Sequence, residues 1–443
     1  MSVKDVVMQG SVWGSMKCTT TMDKLNKTML KQDNLKYHYK NDPNIPIGVL
    51  GMVDDTVDIG ECGKQSINKN AVLNSFIENQ RLELSKEKSS VIHIGKSNKC
   101  KEKCPTLKVH DKDMKNATSA KYLGDIVTAK GGSHDTIELR RSDGWGRVSQ
   151  IMGLLSEVSS GNFRTLIGLK LRETKLCNGS LYNGEAWSSI ADRDMARLEQ
   201  VDLSFLRGLT GSHARTTSEF YYLELGILTF RHILTLRRLV YHHHILTRDV
   251  NETIQKIYLN QKESHFKGDW YQTLLEDFNF IEEEKCDDRI CKFSKIDYAK
   301  YIKERVEKAA FKAYMIKKEI HKKKLSDINY DKFQIQPYLN HKSFGKKEIQ
   351  IMCLLRSKSH SAKNNFRKMN KNNLMCSFKC NSVETQTHIF ENCKPVLSKL
   401  KTPNPIKLSK IFGSIDDQCE VIDTIMKIEE IRKSMKENTY LGD

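Results

Sequence analysis

Val49 to Ile59 reads VLGMVDDTVDI: two β-branched runs on either side of an Asp-Asp pair. Short apolar stretches broken by two polar, turn-forming residues predict a strand–turn–strand hairpin with the aspartates at its tip. Strands would fix the backbone and the turn would expose the carboxylates. Hard divalent cations such as Mg²⁺ need several carboxylate oxygens, and two adjacent aspartates can supply part of such a cage. Two bound ions can clamp the attacking and leaving oxygens of a phosphoryl transfer. Taken alone, an Asp-Asp pair in a turn is most often only a turn. Asp58 lies in the same hairpin, two residues beyond the tip, where simple exposure is its plainest reading.

Working outward, residues 1–130 mix short apolar runs with turns. Val91 to Gly95 reads as another short strand, and Tyr122 to Val127 as one more. From 131 to 345 the apolar period becomes helical. Met195, Leu198, Val201 and Phe205 recur at three- and four-residue steps, with Ser188 and Ser189 upstream as candidate caps. The longest helical pattern runs from Asp297 to Leu325, with an apolar line of Tyr298, Ile302, Val306, Ala309, Ala313, Ile316 and Ile320. Between 297 and 324 it carries ten Lys or Arg against four Asp or Glu. Arg305, Lys308, Lys312 and Lys317 are the candidate nucleic-acid contacts there, against the plainer reading of a solvated basic face. Residues 346–443 hold a basic stretch, a Cys/His cluster and a Lys-rich tail, in which Cys419 to Lys436 reads as a last helix.

The 443 residues carry a formal charge of +18. Such an excess attracts polyanions and releases their counterions on binding, so nucleic acid is the leading partner. No run approaches the roughly 20 apolar residues of a membrane span, and the first residues, MSVKDVV, form no apolar signal core. The expected location is nuclear or cytoplasmic, not secreted. Twelve scattered cysteines fit a reducing compartment and favour metal ligation over disulfides.

Cys376, Cys380, His388 and Cys393 read C-x3-C-x7-H-x4-C. Three thiolates and an imidazole suit tetrahedral Zn²⁺, and four protein ligands leave no open position, which makes the ion structural. Phe378, Val383, Ile389 and Phe390 are too few apolar residues for an independent core, so the segment needs a metal to fold. Cys100 and Cys104 repeat the C-x3-C step, but with only His110 nearby no fourth ligand is evident. His242, His243 and His244 are consecutive and point around a helix, so packing explains them better than a metal.

The order of several motifs resembles the palm of non-LTR (LINE-type) retrotransposon reverse transcriptases. Gln9-Gly10-Ser11-Val12-Trp13-Gly14 precedes the Asp-Asp hairpin. Asn74 to Gly95 follows, and then Tyr122-Leu123-Gly124. The resemblance continues through Gly184-Glu185-Ala186-Trp187, Leu198-Glu199-Gln200-Val201-Asp202 and Tyr222-Leu223-Glu224-Leu225-Gly226. It ends in ETQTHIFENC, residues 384–393. It implies an α+β chain in three parts: a truncated palm over 1–130, a mainly helical thumb and connector over 131–345, and a small zinc-knuckle-like module with basic flanks over 346–443. It implies Asp54 and Asp55 as catalytic Mg²⁺ ligands, Gln9 and Gly10 facing template or nucleotide, and Tyr122, Leu123 and Gly124 as a primer grip. RNA template, DNA primer and deoxynucleoside triphosphates would be the partners.

Met52-Val53 replaces the family's usual aromatic-Ala, and the family's first catalytic aspartate and fingers would lie upstream of Gln9. The expectation is therefore an RNA-directed DNA polymerase fragment inactive alone. The alternatives are an active enzyme completed by another chain, or a non-catalytic nucleic-acid-binding zinc protein derived from such an element.

Overall fold

The computed structural model describes residues 12–52, 55–85, 87–94, 106–109, 112–320, 322–362, 374–378, 380–400 and 406–440. It is 62% helical with a few two-stranded sheets. Two hydrophobic cores organise it. In the smaller, helix α1 (Val12–Leu30) places Leu25 and Met29 against Leu35 and Val49, with Val72, Leu73 and Phe76 closing the far side. The last three belong to α2 (Gly63–Asn79).

Between these helices lies the expected hairpin, β1 (Val49–Met52) and β2 (Asp55–Asp58), antiparallel with Met52 opposite Asp55 and Val49 opposite Asp58. Only residues 53 and 54 join the strands. Beneath it Lys69 of α2 is fully buried; its Nζ donates to Gly48 O at 2.8 Å and Ile59 O at 2.7 Å and pairs with Asp58 Oδ1 at 2.6 Å. A buried ammonium is tolerated when its donors are satisfied. Here they tie the base of the hairpin to α2.

Two expected strands differ. At Val91 to Gly95 only Ser90–Val91 is a strand; Gly95 lies outside the described residues. Tyr122 to Val127 is instead a hairpin, β3 (Ser119–Tyr122) and β4 (Asp125–Thr128), with Tyr122 opposite Asp125. Leu123 and Gly124 form the turn with φ of +46° and +92°. Positive φ at both central residues matches the right-handed twist of the strands, and a glycine makes it inexpensive.

The larger core runs from Ile137 to Ile428 and includes residues on both sides of position 346. Its first layer is α3 (His134–Ser156), α4 (Gly161–Leu171) and α5 (Asp192–Thr210). As the sequence predicts, α5 buries Met195, Leu198, Val201 and Phe205. Its start falls later than the serines, after Ala191, with Asp192 and Asp194 in the first turn where carboxylates favour the helix dipole. Next come α6 (Ser218–Leu225) and α7 (Phe230–Leu246), the latter capped by Thr229 Oγ1 accepting from His232 N.

The long helix is α8 (Lys295–Ile320), lying along α7. It buries Tyr298, Ile302, Val306, Ala310, Tyr314 and Lys318, a strict four-residue step. The predicted line agrees through Val306 and then departs: Ile316 and Ile320 are 58% and 75% exposed. After Val306 the helix keeps meeting its neighbour at every fourth residue, and Tyr314 earns its place by donating to Ile227 O and stacking on Tyr222. Helix α9 (Lys346–Arg356) follows, and α10 (Ile415–Tyr440) is the predicted terminal helix, longer than expected at both ends.

Candidate metal centre

Cys376, Cys380, His388 and Cys393 converge. One ligand atom from each lies within 4.8 Å of all the others. The Sγ of Cys393 is 3.8 Å from that of Cys376 and 3.4 Å from that of Cys380. Zn–S bonds of about 2.3 Å in a tetrahedron place neighbouring sulfurs about 3.8 Å apart, and the thiols are free, not bridged.

The local chain explains the arrangement. Met375 pairs with Val383 in an isolated bridge, and Cys376 N donates to Ser382 O at 2.8 Å. Asn381 takes a left-handed conformation, φ +51°, which folds the segment back just after Cys380. Thr385 Oγ1 accepts from His388 N at 2.9 Å and opens a wide helical turn, His388–Asn392, that carries the imidazole inward. Cys393 then begins the short helix Lys394–Leu397, its carbonyl accepting from Val396 N and Leu397 N.

The residues fit a cation. His388 Nε2 is buried and has no hydrogen-bond partner among the described residues, and an orphaned imidazole nitrogen on a residue that converges with three thiols is what a ligand looks like. Burial pushes the thiols of Cys380 and Cys393 up and the imidazole of His388 down. All three would thus be neutral in the bare protein, and a divalent cation would hold the sulfurs as thiolates.

Glu384, between the second and third ligands, was not singled out by its sequence. Its carboxylate is fully buried. Oε2 accepts from Ser377 N at 2.9 Å and Ser377 Oγ at 2.6 Å, and Oε1 accepts from Arg432 Nη2 at 3.4 Å. An acid inside a knuckle sequence was the available signal; its partner on α10, 48 residues away, left none.

The expected polymerase residues are placed less completely. Gln9, Gly10 and Asp54 lie outside the described residues, as do Cys100, Cys104 and His110. Asp55 is exposed at the hairpin tip. Asp58 is exposed as a residue, as expected, but its carboxylate also pairs with Lys69 at the base of the hairpin, and burial pushes its carboxyl up against that cation's pull. Among the described residues, the cysteine–histidine group is the only cluster of three or more metal-ligating side chains. Asp55 does not belong to it.

The Tyr122–Gly124 turn is firmly held. Arg140 Nη2 donates to Gly124 O and to Asp125 Oδ1, each at 2.9 Å, and Asn183 Nδ2 donates to Leu123 O at 3.1 Å. Burial raises the Tyr122 phenol pKa, and the Asp55 carboxylate raises it further.

On α8 the four candidate cations do not form one face. Arg305 Nε pairs with Glu283 Oε1 at 2.9 Å, and Lys312 pairs with Glu282. Lys308 and Lys317 are exposed and make no ion pair with a described residue. At about 100° per residue, nine positions put them on opposite sides of the helix.

The other motifs of the resemblance are structural hubs. Asp202 takes a two-point ion pair from Arg172, at 2.6 and 2.7 Å, and Trp187 O accepts from Arg238 Nη1 at 2.9 Å. Glu224 accepts from Tyr330 Oη at 2.8 Å, Tyr338 Oη at 2.7 Å, and Arg356 Nε at 3.1 Å and Nη2 at 2.8 Å. His242 and His243 turn to separate partners, Tyr258 Oη and Phe293 O, each at 3.0 Å.

Compared with protein-family models and with curated proteins, the chain matches none. No helix among the described residues is long and apolar enough to cross a membrane.

Proposed function

We propose that the chain is a nucleic-acid-binding C-terminal region of a LINE-type reverse transcriptase, with Cys376, Cys380, His388 and Cys393 holding a structural Zn²⁺. The observation that carries this reading is the convergence of those four side chains, because Glu384 to Cys393 strongly resembles the family's C-terminal cysteine/histidine motif. Zinc held by four protein ligands would shape the knuckle and take no part in chemistry. RNA-directed DNA polymerisation is the parental activity that the resemblance implies. A non-catalytic, nucleic-acid-binding form is favoured for this chain by one observation: among the described residues Asp55 belongs to no cluster of three or more metal-ligating side chains.

The +18 charge would bind phosphates largely without regard to sequence. Four phosphate contacts on duplex would weaken binding about a hundredfold between 50 and 200 mM salt. The test is fluorescence anisotropy of a labelled RNA–DNA primer–template with the full chain across that range, followed by primer extension with Mg²⁺ and deoxynucleotides. A steep salt dependence without extension is expected. A flat dependence or no binding at 50 mM salt would refute nucleic-acid binding. Extension that disappears in Asp55→Asn would refute the non-catalytic reading and establish the polymerase.

A further inference from the structure

The metal knuckle is not a separate bead on the chain. Cys376, Ile389, Phe390, Cys393 and Val396 belong to the same core as Val421, Ile422 and Ile425 of α10. At the centre of that contact is a buried polar network. Glu384 clamps the turn after Cys376 through both donors of Ser377, and reaches Arg432 of α10. Arg432 Nη1 also donates to Ser361 Oγ at 2.9 Å and to Glu429 Oε1 at 3.1 Å. His360 Nε2 is 3.1 Å from the same Glu429 oxygen, and its ring packs edge-on against Phe390 in the turn that carries His388. Side chains of Glu384 and Arg432 are 1% and 3% exposed.

We infer that Glu384 and Arg432 form a latch that makes metal binding by the knuckle and docking of α10 a single coupled event. The inference rests on the metal reading above. The physical reason is that each half of the latch supports the other. The knuckle has little apolar surface of its own, so its fold leans on the bonds that Glu384 makes to Ser377 and Arg432. If the knuckle relaxes, Arg432 keeps Glu429 but loses Glu384, one of its two buried carboxylate partners, which is costly in a low-dielectric site. If α10 lifts away, the Glu384 carboxylate loses its cation, and the Ser377 clamp that orients Cys376 loosens. Outer-shell groups of this kind orient the ligands and typically set metal affinity by ten- to a hundredfold. Linkage makes the coupling reciprocal: whatever factor α10 docking adds to zinc affinity, zinc adds to docking. Both residues are positioning residues, because neither contacts the ion.

The experiment uses the full chain. Zinc affinity is measured by competition with a chromophoric chelator for the parent, Glu384→Gln, Arg432→Met and the double variant. Cobalt absorption spectra report whether the three-sulfur, one-nitrogen ligand set survives. In parallel, amide exchange over residues 415–435 is followed in the parent protein with zinc and after its removal. The expected result has three parts. Each single variant loses roughly ten- to a hundredfold in zinc affinity while keeping the parent cobalt spectrum. The double variant loses little more than the singles. The α10 amides of the parent exchange at least tenfold faster without zinc. The exchange comparison needs no variant, so a substitution that fails to fold leaves the test intact. Unchanged α10 exchange on zinc removal, or parent-like zinc affinity in both single variants, would overturn the latch while leaving the metal site standing. A parent chain that takes up neither zinc nor cobalt would overturn the metal reading itself, and the latch with it.

Discussion

Glu224→Ala should come close to unfolding the helical region. The carboxylate is fully buried and receives hydrogen bonds from Tyr330, Tyr338 and the guanidinium of Arg356. Its removal leaves that guanidinium, 2% exposed, with Ile411 O at 2.7 Å as a remaining acceptor. Breaking one side of a buried ion pair costs about 3–5 kcal/mol. The Tyr330 hydroxyl loses its acceptor, worth about 1–3 kcal/mol, whereas Tyr338 still faces Cys353 Sγ at 3.3 Å. The expected loss is therefore at least about 4 kcal/mol, against the roughly 5–15 kcal/mol that typically holds a domain together. The pair Glu224→Leu and Arg356→Met should behave differently. Each alone strands a buried polar partner, but together they replace the ion pair by apolar groups, a change that is often nearly neutral. The double variant should recover a coupling energy of at least about 2 kcal/mol relative to the sum of its singles. The assay is urea denaturation in zinc-containing buffer, followed by tryptophan fluorescence and far-ultraviolet circular dichroism, with coincident transitions required. A Glu224→Ala chain within about 1 kcal/mol of the parent, or single effects that simply add, would refute the argument.

Acid should destabilise the same region early. Burial pushes the imidazole of His232 down to about 4, helped by Lys317 and Arg231, and that of His242 down to about 3 against the pull of Asp287. The unfolded chain takes up protons that the native state refuses, so this stability is complete above pH 6.5 and is lost as pH falls toward 4 and then 3, by up to roughly 3–5 kcal/mol per group. A urea midpoint that stays level from pH 7 to 4.5 would contradict it. Gly226→Ala should cost about 3 kcal/mol or more, because a Cβ there would lie 2.3 Å from the backbone carbon of Gln334 at φ +59°. Gly131→Ala, at φ +69° with nothing within 4 Å, should cost only the left-handed penalty of about 1–2 kcal/mol. Equal thermal shifts in the two variants would show that the close approach carries no weight.

Local features were legible in the sequence. The Asp-Asp hairpin follows from two β-branched runs separated by a turn, and its partners are ten residues apart or less. The cysteine–histidine cluster follows from four ligands within 18 residues, a spacing at which local turns can bring them toward one centre. The buried face of α5 and the first half of α8 follow from helical period. The turn at Leu123–Gly124 was half-visible, its glycine present but the strands on either side read as one.

What the tertiary structure alone decided is which charges are spent inside. Nothing near Lys69 marks it as buried, since its acceptors are two carbonyls and a carboxylate brought together only when α2 packs under the hairpin. Arg305 and Lys312 read as free cations until the Glu282–Glu283 turn is folded beside them. Glu224 and Arg356 meet across 132 residues of sequence, and Glu384 and Arg432 across 48. Periodicity reports which side of an element faces a core, because that depends on the element's own geometry. It carries no information on which opposite charge waits on the other side, because that is settled by how separate elements pack.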